Sequence, residues 1–350
     1  MGMVEIPITF LFLSRNYCPM EINIFNGGVN MRIGVFSVIF QQLPFEQALD
    51  KILSYGATAV EIGTGGLPGA HHCPTDELLE SNEKRRAYLK AVEERGMIIS
   101  AFSCHWDPIS PNKELAKASD ALFHKTVRLA EMCGVPAINV MSGVPAGSPN
   151  DTSPNWVTCP WPPHFREILD YQWNVVAIPY WREASKFAED HHVKIGVEMH
   201  PGMLIYNVET MLSMREACGQ AMGCNFDPSH LFWNGVDPIA AIRKLGDAIV
   251  HVHAKDCYVD AFNVAVNGCN DHKDYTDIPH RSWTFRTIGY GHDLKVWKDI
   301  VSALRMVGYD HAISLEHEDG MMSFDEGVQK GLAALREIVT VESAGEMFWA

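Results

Sequence analysis

The segment "IVHVHAKD" (residues 249–256) begins as an apolar run typical of a buried strand, yet it carries two histidines, a lysine and an aspartate. Side chains alternate between the two faces of a strand, so His251, His253 and Lys255 share one face. Polar groups are costly to bury unless they have partners. The segment therefore predicts a strand of an enclosed sheet with a polar site towards its carboxyl end, where Asp256 opens a long connection.

The rest of the chain repeats a strand-and-helix pattern from Met31 onward. Amphipathic stretches close on a glycine, as at Gly56 and Gly134, just before the next strand, which is typical of a left-handed helix C-cap. The predicted strands are residues 32–39, 58–63, 97–104, 137–142, 194–200, 223–228, 249–255 and 312–317. Eight such alternations favour an α/β fold of the (β/α)8 TIM barrel type, with a doubly wound open sheet as the alternative.

Residues 1–30 precede this pattern, and residues 31–350 are predicted to form one catalytic barrel domain. The run "ITFLFL" (residues 8–13) lacks the basic flank and the cleavage site of a signal peptide. We expect the native protein to start at Met31, which makes residues 1–30 an extension that is not native. A genuine N-terminal arm is the alternative.

The composition weighs against several classes of protein. The formal net charge of −15 disfavours a nucleic-acid partner, which would need a basic surface. No apolar run is long enough to span a bilayer, so we expect a soluble, cytoplasmic protein without a membrane partner. The nine cysteines form no C-x-x-C pair, which indicates reduced thiols rather than a disulfide framework. A small, neutral ligand fits this composition better.

Two connections, residues 143–174 and 256–292, are too long for simple turns. Each follows the carboxyl end of a predicted strand, where TIM barrels build their active sites, so we expect both to cover a substrate. Their aromatic side chains, with Trp283 as a candidate, offer faces for stacking on a sugar or an aromatic group. Packing of the loops is the alternative role for each aromatic residue.

Four consecutive strand ends carry Glu198, Asp227, His253 and Glu316, and strand ends converge in a barrel. Two glutamates, an aspartate and an imidazole suit one divalent metal ion, with Mn²⁺ first and Mg²⁺ or Co²⁺ as alternatives. Zinc is less favoured because no thiolate takes part. A buried acidic cluster without a cation would suffer mutual repulsion. Each residue alone has a structural explanation, but the four together predict a metal site.

Five motifs in chain order carry a resemblance to a known family. They are "GVEMHP" (196–201), "NFDPSHLFW" (225–233), "HVHAKD" (251–256), "GYGHDLKVW" (289–297) and "SLEHED" (314–319). Together they resemble the sugar phosphate isomerase/epimerase group of the xylose isomerase-like TIM barrels, over nearly the whole chain from Met31. The relatives include ketose 3-epimerases and inosose dehydratases. The resemblance implies that Glu198, Asp227, His253 and Glu316 bind one divalent ion.

The resemblance also implies a proton-transfer reaction. In the epimerases two metal-bound glutamates act as base and opposing acid beside a metal-chelated carbonyl, through an enediolate. The matching pair here is Glu198 and Glu316. His230, three residues after the metal aspartate, matches a substrate-contacting histidine. His200 and His105 are further substrate-binding candidates.

Two polar residues of the opening segment have supporting roles in this interpretation. His251, one pleat deeper than the metal ligand, is expected to orient a ligand or to fill the barrel. Lys255 is expected to pair with a carboxylate, and neutralisation of a developing oxyanion is the alternative. Neither residue is predicted to bind the metal.

The chain departs from the smaller epimerases in its longer loops and in Val259, which lies near the position of an arginine in those enzymes. Arg281 or Arg286 would replace that arginine. The expected function is therefore a metal-dependent isomerase or epimerase of a keto-sugar or oxo-sugar derivative rather than of a simple ketose.

The main alternative is the large subunit of a C-glycoside deglycosidase, which resembles this chain. Such an enzyme is a carbon–carbon lyase that acts on 3-oxo-glucosides with the same metal site, beside a small partner subunit. A metal-dependent phosphodiesterase, as in apurinic endonucleases, and a non-catalytic sugar-binding module are less favoured. The expected partner is a sugar or glycoside; a homo-oligomer or a second subunit stays open.

Overall fold

The centre of the computed structural model, which describes residues 31–342, 345 and 347–349, is a closed barrel of eight parallel strands. The strands of the chain are Arg32–Phe36 (β1), Ala59–Gly63 (β2), Ile98–Ser103 (β3), Ala137–Met141 (β4), Lys194–Glu198 (β5), Met222–Phe226 (β6), Ile249–Ala254 (β7), Asp256–Val259 (β8), Trp283–Arg286 (β9) and Ala312–Leu315 (β10). β1 pairs with both β2 and β10, which closes the barrel. The predicted TIM barrel is confirmed, and the open sheet was the wrong alternative. The expectation for residues 1–30 lies outside the described residues.

Helices alternate with the strands along the chain. They are Phe45–Ser54 (α1), Thr75–Glu80 (α2), Asn82–Glu93 (α3), Lys113–Cys133 (α4), His164–Asp170 (α5), Ile178–Asp190 (α6), Val208–Cys218 (α7), Pro228–Trp233 (α8), Pro238–Leu245 (α9), Ala261–Asn267 (α10), Leu294–Met306 (α11) and Phe324–Ile338 (α12). α4 starts with the Asn112 side chain accepting from the Leu115 amide and ends at Gly134 with φ of 68°, the predicted left-handed cap. Among the described residues no helix is both long and apolar enough to cross a membrane.

The first long connection is shorter than predicted. Its irregular part ends at Pro163, because α5 begins at His164 and continues through a π-helical segment, Tyr171–Ala177, into α6. Proline is well tolerated at the start of a helix, since the first amides have no intrahelical partner. The prolines before His164 therefore start this helix, although they suggested a loop in the sequence.

The second long connection contains regular structure that the sequence analysis missed. β8 and β9 form an antiparallel hairpin in which Asp256 pairs with Arg286, and α10 lies between the two strands in the chain. The hairpin packs on α8 through Trp283, whose ring stacks on that of Trp233 with centroids 4.4 Å apart. The connection is thus an ordered cover for the carboxyl end of the barrel.

The sequence left the role of Asp256 undecided. In the structure, this residue holds the cover in place through hydrogen bonds. The Oδ2 atom of its buried carboxylate accepts hydrogen bonds from the backbone amides of Gly289, Gly291 and His292 at 2.9–3.2 Å and from Trp297 Nε1 at 3.1 Å. Asp256 is the first residue of β8, two positions after the end of β7, and its donors lie beyond β9. One carboxylate therefore joins both ends of the connection.

Replacing Asp256 with alanine should lower the free energy of unfolding by about 3–5 kcal/mol, because several donors lose a buried charged acceptor. Urea denaturation of the two proteins measures this difference. Asp299→Ala is the control: among the described residues its exposed carboxylate pairs only with exposed Lys295, and we expect a change within about 0.5 kcal/mol. A loss below about 1 kcal/mol for Asp256→Ala would contradict the anchoring role.

Candidate active site

A cavity of about 670 Å³ opens at the carboxyl ends of the barrel strands. Its polar lining includes His105, Glu198, His200, His230, Lys255, Thr276, Thr284, Glu316 and Glu318. Its apolar wall includes Phe36, Val38, Leu67, Pro68, Met141, Tyr275, Ile278, Phe285 and Met321. Glu198 and Lys255 are at most 4% exposed, whereas Leu67, Tyr275 and Met321 are 58–70% exposed. The cavity therefore has a polar floor and a partly apolar mouth.

The four predicted metal ligands meet at this floor. Glu198 ends β5, Asp227 follows β6, His253 lies in β7 and Glu316 follows β10. His253 Nδ1 lies 3.4 Å from Oε2 of Glu198 and 3.4 Å from Oε2 of Glu316. Ligand atoms of Asp227, His253 and Glu316 all lie within 4.8 Å of one another. The barrel thus brings together side chains that are spread over residues 198–316 of the sequence.

The donor atoms fit a divalent cation. Asp227 Oδ1 accepts from the Ser229 amide at the start of α8, whereas buried Oδ2 accepts no hydrogen bond from the described residues. The ammonium of Lys255 lies 3.2 Å from Oδ2 as an ion pair. Carboxylate oxygens with one imidazole are a ligand set that Mn²⁺, Mg²⁺ and related ions accept. Glu198, Asp227, His253 and Glu316 would hold such an ion.

Glu198 is surrounded by nitrogen groups. Its Oε1 lies 3.1 Å from Nε2 of His230, and its Oε2 lies 3.3 Å from Nε2 of His105 and accepts from Asn225 Nδ2 at 3.1 Å. Burial raises the pKa of Glu198, but hydrogen bonds with His105, His230 and His253 outweigh it and hold this pKa well below its usual range. The Glu198 carboxylate is therefore ionised.

His253 has a further partner that the sequence analysis did not include, Glu61 of β2. Nε2 of His253 lies 3.0 Å from Oε2 of this fully buried glutamate. Burial raises the pKa of Glu61, but contacts with His253 and His251 and a hydrogen bond from Ser103 lower it to about 2. The signal was present in the sequence, because a lone glutamate in the apolar strand "AVEIG" (59–63) is as costly to bury as the polar groups of β7.

Lys255 lies between several acidic side chains. Its Nζ lies 2.7 Å from Glu316 Oε2, 2.9 Å from Glu318 Oε2 and 4.6 Å from the centre of the Phe285 ring. Burial lowers the pKa of this ammonium, but Asp227 and the two glutamates raise it well above its usual range. Lys255 is thus a fixed positive charge that pairs with carboxylates in this structure.

The other predicted site residues fall into two groups. His200 lies on the cavity wall, 4.1 Å from His230 between ring centroids, and burial lowers its pKa to about 3. His251 lies deeper in the barrel, with Nε2 3.3 Å from Glu61 Oε2, and burial lowers its pKa to about 3 as well. Both rings are therefore neutral at physiological pH.

Trp283 and Arg286 are not among the residues that line the cavity. Trp283 uses its ring face to stack on Trp233, and Arg286 donates from Nε to Asp319 at 3.1 Å. Both side chains therefore hold the hairpin in place. The sequence indicated that both residues lie in a connection over the site, but it did not show which residues their side chains contact.

Comparisons with known proteins agree with this fold. Residues 49–338 match the family described as "Xylose isomerase-like TIM barrel". The "Uncharacterized protein YfiH" of Bacillus subtilis (strain 168) is 42% identical over 313 residues, which are 89% of this chain and 100% of that protein. A solved structure described as a D-tagatose 3-epimerase-like protein is 21% identical, with a TM-score of 0.57 over 88% of this chain and 98% of its own.

A second solved structure, described as "IOLI protein with a binding zinc atom", is 16% identical, with a TM-score of 0.60 over 88% of this chain and 98% of its own. At these identities the two structures show the fold alone.

Binding of one Mn²⁺ should release about one proton at pH 7. Burial lowers the pKa of His253, but the carboxylates of Glu61, Glu316 and Glu198 raise it well above its usual range, so the ring is protonated before it binds an ion. Because the ligand must be a neutral imidazole, lowering the pH should weaken binding.

Calorimetric titrations in buffers of different ionisation enthalpy measure the protons released. His253→Gln, which keeps a polar side chain but has no imidazole proton, should abolish the release and most of the binding. Binding of Mn²⁺ to the wild-type protein without proton release would contradict the predicted state of His253.

Proposed function

We propose, because this chain belongs to the xylose isomerase-like TIM barrel family, that it is a divalent-metal-dependent isomerase or epimerase of a keto-sugar or oxo-sugar derivative. The observation that carries the proposal is the pair of carboxylates, Glu198 and Glu316, that flank His253 Nδ1 at the floor of the cavity. Two carboxylates beside one cation site suit a proton transfer from and to carbon.

The cation and the carboxylates have separate tasks in this reaction. A divalent ion, when bound by Glu198, Asp227, His253 and Glu316, would polarise the substrate carbonyl and make the adjacent C–H acidic. We propose Mn²⁺ first, with Mg²⁺ or Co²⁺ as alternatives, because oxygen ligands dominate the set. Zn²⁺ should be tested beside these ions, because the IOLI structure is described with a bound zinc atom.

The chain's own residues would move the proton. One carboxylate of the pair accepts it from the carbon beside the carbonyl, and the electrons of that C–H bond form the enediolate. The other member of the pair would enter the step as a carboxylic acid and give its proton to the opposite face, which gives an epimer, or to the neighbouring carbon, which gives an isomer. His105 and His230 contact Glu198, and Lys255 contacts Glu316. These contacts keep the two carboxylates in place at the floor.

The side chains around the mouth of the cavity indicate what kind of substituent the substrate carries. His200 and His230 offer ring nitrogens to sugar hydroxyls near the floor, whereas exposed Leu67, Tyr275 and Met321 surround the opening. A free ketose would leave these apolar side chains in water. A sugar that carries an apolar substituent would cover them, and such burial favours binding.

The same apolar mouth favours a second candidate function, a C-glycoside deglycosidase large subunit that acts on 3-oxo-glucosides. The first proton transfer would be unchanged. The electrons of the enediolate would then form a new carbon–carbon double bond in the sugar as the bond to the aglycone breaks. The aglycone would leave with the electron pair of that bond and take up the proton that the carboxylate had accepted. This function would bring a small partner subunit, whereas the isomerase would act alone or as a homo-oligomer.

Incubation of the Mn²⁺-loaded protein in D₂O should introduce deuterium beside the carbonyl of a substrate. The panel contains free ketoses and 3-oxo-glucosides, including a 3-oxo-C-glucoside, and NMR follows the carbons next to the carbonyl. Deuterium with an inverted or migrated carbonyl supports the isomerase, and release of the aglycone supports the lyase. Absence of exchange with every member, despite stoichiometric bound metal, would refute the proton-transfer mechanism for this panel.

Glu198→Gln and Glu316→Gln should each lower kcat by about 10²–10⁴-fold, because each removes one of the two groups that exchange a proton with carbon. The exposed Glu337→Gln is the matched control and should leave kcat unchanged. Substrate binding is measured separately by calorimetry. Retained binding with lost turnover is the result expected of an enzyme, whereas no turnover in the wild type with binding lost in Glu198→Gln would favour a binding module.

A further inference from the structure

We infer that Glu61 is a positioning residue that selects which nitrogen of His253 faces the metal site. The inference rests on the metal site of the proposed function. Glu61 is fully buried in β2, whereas His253 lies in β7 and is 192 residues away in the sequence. The closed barrel brings the two side chains into direct contact.

The two nitrogens of the His253 ring face different carboxylates. Nδ1 lies 3.4 Å from both Glu198 and Glu316, on the side of the proposed ligands. Nε2 lies 3.0 Å and 3.1 Å from the two carboxylate oxygens of Glu61. An N–H on Nε2 that donates to Glu61 leaves the lone pair of a neutral ring on Nδ1, where the ion would bind.

Glu61 is itself held so that it can only accept. Its Oε1 receives hydrogen bonds from Ser103 Oγ and, at 2.8 Å, from Asn139 Nδ2. Its Oε2 faces Nε2 of His253 and, at 3.3 Å, Nε2 of His251. Three donors, Ser103 Oγ, Asn139 Nδ2 and the N–H of His253, thus point at one carboxylate, which accepts at both oxygens.

The tautomer of His251 is fixed as well. Its Nδ1 accepts from the backbone amide of Val252 at 2.9 Å, so the hydrogen of this neutral ring lies on Nε2. The Nε2 atom that carries this hydrogen lies 3.3 Å from Ser314 Oγ, its hydrogen-bond partner, and at the same distance from Oε2 of Glu61. A donor in place of Oε2 would therefore oppose His251 and could be accepted only by His253.

Glutamine at position 61 would create that conflict while keeping nearly the same shape. Ser103 and Asn139 would hold the amide oxygen at the position of Oε1, which places the NH₂ group at the position of Oε2. The NH₂ group, 3.0 Å from Nε2 of His253, would compete with the N–H that the ring donates to the amide oxygen at 3.1 Å, and would favour the neutral ring with its hydrogen on Nδ1. The nitrogen that faces Glu198 and Glu316 would then have no lone pair for a metal.

Glu61→Gln should raise the Kd for Mn²⁺ by about 10–100-fold, the usual range for residues that orient a metal ligand. Glu61→Ala is the matched variant, because it loses the same charge but introduces no donor and leaves room for water beside Nε2. We expect Glu61→Ala to bind Mn²⁺ more tightly than Glu61→Gln. Calorimetry gives the affinities, and thermal unfolding of the metal-free variants shows that each is folded.

The relative affinities of Glu61→Gln and Glu61→Ala for Mn²⁺ distinguish this role from simpler ones. Equal affinities would mean that only the charge of Glu61 matters, and weaker binding by Glu61→Ala would mean that only its volume matters; either result overturns the inference. Unchanged affinity in Glu61→Gln also overturns it. If the wild-type protein binds no divalent ion, the metal site of the proposed function fails instead.

A spectroscopic measurement reports on the tautomer directly. In Zn²⁺-loaded wild-type protein with ¹⁵N-labelled histidine, His253 should coordinate through Nδ1 and carry its hydrogen on Nε2; the spectrum of His253→Gln identifies its signals. The zinc-loaded Glu61→Gln protein should lose the Nε2–H signal of His253. A wild-type ring with its hydrogen on Nδ1 would overturn the inference.

Discussion

The central constraint on this protein is the burial of several carboxylates inside a closed barrel. Glu61, Glu198, Asp227 and Glu316 all approach His253 or Lys255, which supply positive charge within the same enclosure. A charge in a low-dielectric interior must be compensated by an opposite charge or by hydrogen bonds, or its group becomes neutral. The arrangement of polar groups at the carboxyl end of the barrel follows from this requirement.

Other acidic residues near the strand ends have a different task. Asp256 and Asp319 accept backbone amides of the connections around them, and Asp319 receives the amide of Thr287 at 2.8 Å and Arg286 Nε at 3.1 Å. Their lone pairs are occupied by donors, whereas Oδ2 of Asp227 accepts no hydrogen bond from the described residues. The hydrogen bonds of each carboxylate thus distinguish anchors of the cover from candidate ligands.

Much of the fold could be predicted because its signals are local. Each predicted barrel strand overlaps an observed one, and Gly134 caps α4 as its position before a strand indicated. The hairpin of β8 and β9 was missed because its strands are four residues long and are joined by a long segment with a short helix. Such strands depend on packing, here of Trp283 on Trp233, rather than on a periodic pattern.

The sequence by itself determined the barrel and the strand ends at which the polar side chains lie, since hydrophobic alternation and strand parity act over a few residues. Only the tertiary structure decided which polar groups touch: Glu61 against His253, Lys255 between Asp227 and Glu316, and Trp283 away from the cavity wall. Those contacts join residues up to 192 positions apart. Barrel closure sets their distances, and no pattern within a single strand contains that information.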